Sequence, residues 1–440
     1  AASTNLQVIG NNIANANTTG FKESRAEFAD VYNSQGKTQP GAGVRVSEVA
    51  QQFNQGNIES TQNNLDLALS GNGFFALGER SDSTNSTAYT RNGAFHLSPE
   101  GYITNDTGHF LLGGAPIGTT VEEGFSTGAP IALQVDTSQG APSATTEINL
   151  TVNLDSRSTR LDAADFVGFT ADGAGDFTVP PSVDTYNNST SATIFDSLGN
   201  THTLSTYFVN ITADGDTEST WQSFVYLDGR GLTAPSTLED NATAGVGTSI
   251  PMVFDSLGNL LPDTTGTDAA AAPADFVFSA IDIAPLTALN VTADLLGFTI
   301  KPTGSTQYAA DFGVNDLQQD GYASGNLTGI SFDKTGVLLA RYSNGTTSPL
   351  GQVILGRFTN NQGLGKVGDT TWQESIDSGT VVLGVAGGNN FGDITSSALE
   401  NSNTDIATQL VKMIVAQQSY QANAQTISTE DEIIQRILQL

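Results

Sequence analysis

Leu410-Val411-Lys412-Met413-Ile414-Val415-Ala416-Gln417-Gln418-Ser419-Tyr420-Gln421-Ala422-Asn423-Ala424-Gln425-Thr426-Ile427 lies inside 403–440, the stretch around which the rest of the chain is read. Steps alternating four and three residues from Ile406 land on Leu410, Met413, Gln417, Tyr420, Ala424, Ile427, Asp431, Ile434 and Leu438, and only Gln417 and Asp431 break the apolar row. An apolar side chain every half heptad is the seam of a coiled coil. Neither Gly nor Pro interrupts it, and Ser402-Asn403-Thr404-Asp405 supplies N-cap residues where it begins. The seam needs a partner, since a lone helix leaves it facing water.

The other end of the chain offers one. Leu6, Ile9, Ile13 and Ala16 repeat at the same spacing, and the segment runs out at Thr18-Thr19-Gly20, a helix end. The two terminal helices therefore pair, either as an ordinary antiparallel core pair or as part of a larger assembly. Length favours the second, because Leu6 to Ala16 cannot cover a seam that reaches Leu438. The remainder is left for another molecule or for residues upstream of Ala1.

At 440 residues the chain has room for about two to four domains. Acids outnumber bases 46 to 16, and the net charge of −30 speaks against binding nucleic acid or an anionic membrane. Cysteine is absent, which removes disulfides and thiol chemistry. No run approaches the length of a membrane-spanning helix, and no secretory signal stands at the start.

The ends are helical and the middle is not. Residues 21–63 are polar, contain Pro40-Gly41-Ala42-Gly43 and a short alternation at Val44, Val46 and Val49, and read as an extended connector. Short strands then alternate with glycine turns at Leu65–Leu69, Gly73–Leu77 and Phe110–Leu112, and return at Gly329–Phe332, Val337–Tyr342 and Gln352–Leu355. Between them lies an insert rich in Thr, Asp, Gly and Ala, with an internal echo: Phe195-Asp196-Ser197-Leu198-Gly199-Asn200 and Phe254-Asp255-Ser256-Leu257-Gly258-Asn259. Each copy is a hairpin turn in which Asp accepts backbone bonds and Gly takes the left-handed conformation. Two copies predict two hairpins of one sheet domain. Between Arg91 and Lys334 the bases are Arg157, Arg160, Arg230 and Lys301, so the insert carries most of the acid excess.

The expected fold is mainly β with α-helical termini: a coiled-coil-like inner domain of terminal helices, and nested discontinuous β domains. The boundaries are 1–20 with 403–440 for the helices and 21–63 with 393–402 for the connector. The inner β domain takes 64–140 with 322–392, and the acidic outer β domain takes 141–321.

Asn5-Leu6-Gln7-Val8-Ile9-Gly10-Asn11-Asn12-Ile13-Ala14-Asn15-Ala16-Asn17-Thr18-Thr19-Gly20-Phe21-Lys22 resembles the N-terminal signature of the bacterial flagellar rod and hook proteins. The stretch Leu410–Ile427 is similar to the C-terminal signature of the hook members of that family. Shorter matches are Gly71-Asn72-Gly73-Phe74-Phe75, Tyr89-Thr90-Arg91-Asn92-Gly93-Ala94-Phe95 and Asn360-Asn361-Gln362-Gly363-Leu364. They cover roughly the first and last quarters, and the large central insert favours a hook protein over the shorter rod proteins. The resemblance implies an extracellular structural subunit, exported without a cleaved signal. It would polymerise with itself into a flexible helical tube that carries motor torque. Implied partners are the distal rod, hook cap, hook–filament junction and hook-length control proteins. The assembly seam is then Leu6, Ile9, Ile13, Ile406, Leu410, Met413, Tyr420, Ala424, Ile427, Ile434 and Leu438, with Leu410, Met413, Ile427 and Ile434 expected to be buried against neighbouring helices.

No catalytic set, cofactor or metal is expected. Gly363, Gly365 and Gly368 form a G-x-G-x-x-G string, but Asp369-Thr370-Thr371-Trp372 does not open a helix as a dinucleotide site requires. His96, His109 and His202 sit apart in strand-like alternation and read as surface or packed histidines. Asp172, Asp176, Asp214 and Asp216 match no EF-hand spacing and read as solvated turns. The other function weighed is a secreted β-rich adhesin or carbohydrate-binding protein, in which paired terminal helices would be idle. A secreted hydrolase fails for want of a nucleophile elbow or zinc motif.

Overall fold

Phe74-Phe75-Ala76-Leu77 is apolar at every position because its strand is covered on both faces. In the computed structural model Phe75 and Leu77 face one buried cluster with Leu67, Phe95, Leu111 and Leu355, while Phe74 and Ala76 face another with Tyr89, Leu112, Ile354 and Trp372. The structure describes residues 2–31, 43–126, 128–136, 139–170, 178–213, 215–233, 237–238, 249–261, 275–281, 296–388 and 390–438. Pro40, Gly41, Ala42, Asp172, Asp176 and Asp214 lie outside them.

The chain divides into two units, 1–138 with 327–440 and 139–326. The architecture is mainly β, with one helix near each terminus. Among the described residues the first unit holds a 12-stranded sheet in which early and late segments interleave. Its order runs through Leu327–Phe332, Val337–Tyr342, Thr347–Arg357, Phe110–Gly114, Phe74–Gly78, Ala88–Thr90, Thr371–Gln373 and Gly365–Gly368. Sheet closure thus depends on strands more than 200 residues apart, such as Leu355 opposite Phe75. The glycine string at 363–368 becomes strand and tight turn, so the dinucleotide context is absent.

Two short antiparallel pairs bring the end of the chain back to its beginning: Asp393–Ser396 on Leu67–Ser70, and Ala398–Glu400 on Ile58–Ser60. The valines at 44, 46 and 49 belong to the strand Val44–Gln51, which forms a two-stranded ribbon with Ser24–Asp30.

Among the described residues, 139–326 form two facing sheets. One has four strands, Phe276–Ile281, Leu296–Lys301, Glu147–Asn153 and Gly313–Gln319. The other has six, Asn188–Phe195, Thr201–Asn210, Ser219–Leu227, Arg230–Thr233 and Thr237–Leu238 in order, with Ile250–Phe254 beside the third. Leu204, Phe208, Trp221 and Phe254 meet Ile148, Leu150, Phe278 and Phe298 in the shared core. The opposite face of the six-stranded sheet is covered by Phe166 and Phe169, which pack on Tyr207, Phe224 and Tyr226.

Both copies of the repeated turn have one geometry. Asp196 accepts from the amides of Leu198 (2.9 Å) and Asn200 (2.7 Å), and Asp255 from those of Leu257 (2.9 Å) and Asn259 (2.8 Å). Gly199 and Gly258 stand at φ +83° and +81°, where a side chain would be strained. Both turns serve the six-stranded sheet. Asp216 lies in an exposed turn, bonded to Ala213.

Candidate assembly surface of the terminal helices

The N-terminal helix α1 spans Ala2–Ala14 and the C-terminal helix α2 spans Ile406–Leu438. Ala16 falls beyond the end of α1, in a turn that reaches Gly20 at φ +69°. A Cβ on Gly20 would lie 2.5 Å from the Asn92 backbone nitrogen, so this position needs glycine for conformation and for space.

Of the four N-cap residues read from the sequence, Asp405 caps α2. Its carboxylate accepts from the Thr408 hydroxyl (2.6 Å) and the Ala407 amide (3.0 Å), and these bonds, the Thr408 one most, hold its pKa below the ordinary value. Asn403 ties the helix start to the preceding segment: it accepts from the Glu23 amide and donates to the carbonyls of Gln52 and Asn54.

The two helices pair, but of the C-terminal seam only Met413 shares the joint. The face of α2 turned to α1 is Gln409, Met413 and Ala416, one position around the helix from Leu410. Polar bonds set this rotation. Asn12, buried on α1, holds both the amide and the carbonyl of Ser24 and reaches Gln409 at 3.5 Å, while Gln409 donates to Glu23 at 2.7 Å. Ile9 is buried, Leu6, Ile13 and Met413 are half-buried, and Ile406 and Leu410 are exposed.

From Gln417 to Leu438 every residue of α2 is exposed. The seam residues Tyr420, Ala424, Ile427, Ile434 and Leu438 lie here, with Ile427 61%, Ile434 54% and Leu438 80% exposed. The segment runs about 33 Å at 1.5 Å per residue. Ser419, Thr426, Ser428 and Thr429 return their hydroxyls to carbonyls four residues back, so the helix satisfies these polar groups itself.

Where the helices join the β structure, three charges are buried together. Glu400, 0% exposed, accepts from Lys22 Nζ at 2.5 Å and Arg91 Nη1 at 3.2 Å, and also from the Gly56 amide. Lys22 donates further to the Asn54 carbonyl, and Arg91 to the Gly71 carbonyl, with its guanidinium 5.4 Å from the Phe74 ring. Burial pulls both cations below their ordinary pKa values, and Glu400 offsets part of that. Lys22 follows α1 and Glu400 precedes α2, so the cluster anchors both helices to one point.

A second clamp holds the connector. Gln362 grips the Gln51 backbone from both sides, at 3.0 and 2.6 Å, and the Gln51 side chain accepts from Trp372 Nε1 at 2.6 Å. Sequence reading gave no role to Asn12, which stands in the quoted N-terminal signature, and missed Glu400 and Gln409. Lys22, Arg91 and Gln362 fell inside quoted motifs, and the one signal pointing to a role was the scarcity of bases.

The histidines stay apart: His96 bonds Thr104, His109 bonds Thr107, and His202 lies between Asp196 and Asp228.

Family models match along the length of the chain: "Flagella basal body rod protein" over 1–22, "Flagellar hook protein FlgE/F/G D1 domain" over 68–153, "Flagellar basal body protein FlaE D2 domain" over 153–322 and "Flagellar basal body rod FlgEFG protein C-terminal" over 395–440. The flagellar hook protein FlgE of Escherichia coli K12 is 36% identical over 100% of this chain and 97% of its own. That of Salmonella typhimurium is 34% identical with the same coverage, and that of Borreliella burgdorferi 31% identical over 99% and 96%. In fold, the crystal structure of Helicobacter pylori flagellar hook protein FlgE2 is similar at a TM-score of 0.52 and 15% identity, covering 78% of this chain and 100% of that one. With full-length relatives above 30% identity and helices tied to a discontinuous β unit, the chain belongs to the flagellar hook protein family and is a structural subunit of the hook.

Proposed function

We propose that copies of this chain polymerise through the seam of their terminal helices into a helical tube, a flexible joint that passes motor torque to the filament. The exposed apolar row from Tyr420 to Leu438 carries the reading, since it is about 28 Å of coiled-coil seam without cover in its own chain. Leu6, Ile9, Ile13, Ile406, Leu410 and Met413 continue it toward the base. A heterologous contact that does not close into a ring generates such a polymer. The role is structural and not catalytic. The subunit works outside the cell, after export without a cleaved signal, and meets the distal rod, hook cap, hook–filament junction and length-control proteins.

In this reading 1–20 with 403–440 line the tube, 21–63 with 393–402 connect, and 64–140 with 322–392 form the inner β layer. The acidic 141–321 layer faces solvent. Residues 139–326 hold 23 acids and four bases, so like charge opposes close approach of copies there. Assembly is therefore expected to rise with moderate salt, as the Debye length shrinks to about 10 Å at 0.1 M. Sedimentation of purified subunit against salt checks this, and a polymer that dissolves as salt rises overturns it.

The chain enters and leaves the 139–326 unit side by side, with Gly140 paired to Gly325 and Ser143 to Tyr322. Replacing 141–321 by a short linker is expected to preserve tube formation and to alter stiffness or curvature, read by electron microscopy. Failure to form tubes would make this unit part of the essential lattice.

A further inference from the structure

The His202 imidazole, 5% exposed, is held between carboxylates from two different turns. Its Nδ1 lies 2.7 Å from Asp228 Oδ2 and its Nε2 3.5 Å from Asp196 Oδ2. Asp196, fully buried, is fixed by the amides of Leu198 and Asn200 and by the Asn200 side chain at 2.8 Å. Asp228 stands at φ +48° between the strands Ser219–Leu227 and Arg230–Thr233, and its Oδ1 accepts from the Thr203 amide at 2.7 Å. Other donors thus orient both neighbours as acceptors.

A neutral imidazole has one N–H and one lone pair. With the proton on Nδ1, a buried lone pair on Nε2 faces Asp196. With the proton on Nε2, the lone pair faces Asp228 at 2.7 Å. The imidazolium alone presents a donor to each. We propose that His202 is a charged clasp that joins three strands of the six-stranded sheet at their turn end and loosens when it loses its proton, which makes this end of the 139–326 unit sensitive to pH.

Among the described residues, Asp228 from the β-turn after Leu227 and Asp196 from the turn after Phe195 are the charged groups that bear on the ring. The Asp228 hydrogen bond raises the imidazole pKa above 6.5 and outweighs burial, which lowers it. Burial pushes Asp196 up, but the bonds from Asn200 and Leu198 outweigh that and hold it below 3.8, so it stays charged while His202 titrates. A group whose pKa is raised on folding contributes fully below its unfolded value. The clasp is therefore whole below pH 6.5 and is lost as pH rises through the folded value of His202.

The test is a histidine NMR titration of the full chain. His202 is expected to titrate above 6.5 with both ring nitrogens protonated below its midpoint, and Asp228→Asn is expected to lower that midpoint. In urea, the gap between the unfolding midpoints of the wild type and His202→Gln is expected to narrow from about pH 6 to about pH 9. A His202 midpoint at or below 6.5, a singly protonated ring below the midpoint, or a gap independent of pH would overturn the clasp. If His202→Gln does not fold, the titrations of the wild type and Asp228→Asn decide.

Discussion

Glu400→Gln is expected to destabilise the helix-bearing unit by about 3–5 kcal/mol, the cost of removing one partner from a buried ionic pair. The substitution keeps the side-chain shape and leaves Lys22 and Arg91 buried without the carboxylate they share. Burial already opposes both charges, and Glu400 is the group that counters it. The deficit has a pH signature. Lys22 has a pKa lowered on folding, and without Glu400 it falls further, so the folded variant binds fewer protons than the unfolded chain at pH values below 10.5. Stability of the variant is then expected to recover as pH rises toward 10.5, as neutral Lys22 becomes easier to bury. Urea unfolding at several pH values measures both effects. A deficit below about 1 kcal/mol, the range of exposed pairs, would show that the cluster contributes no more than a surface contact.

Deleting Tyr420 to Leu440 is expected to abolish polymerisation while the unfolding transitions of the β structure remain. The shortened α2 keeps Gln409, Met413 and Ala416 and, among the described residues, loses only exposed ones. None of the four buried clusters draws a residue from the deleted segment. Thermal melts and electron microscopy together decide. Tubes that persist would dismiss the seam as the polymer contact, and a lost main transition would give the segment a role in folding.

What the sequence discloses depends on how local the physics is. The apolar runs at Phe74–Leu77 and Val337–Ala340 are strands because burial is written into neighbouring residues. The two Asp-Ser-Leu-Gly-Asn turns were legible for the same reason. Among the described residues the same turn recurs under different residues. Asp333 accepts from the amides of Thr335 and Val337 with Gly336 at φ +79°, and Asn105 accepts from those of Thr107 and His109 with Gly108 at φ +82°. A search for matching letters passes over these, because the turn needs only an oxygen acceptor at its first position and a glycine at its fourth. The rotation of α2 was not legible. Heptad counting finds the most apolar row, whereas the buried joint is set by Asn12 and Gln409, a polar pair 397 residues apart.

Lys22 and Glu400 are 378 positions apart, which bears on the order in which a newly delivered chain takes shape. Contacts so distant in sequence carry a loop-closure cost that grows slowly with length, about 0.6 kcal/mol per doubling, and they tend to form late. A chain that grows from its N-terminus holds only half of this junction until Glu400 is made. The sheet around Arg91 also waits, because Thr371–Gln373 pairs with Ala88–Thr90. Both helices therefore gain their shared anchor only when the chain is nearly complete.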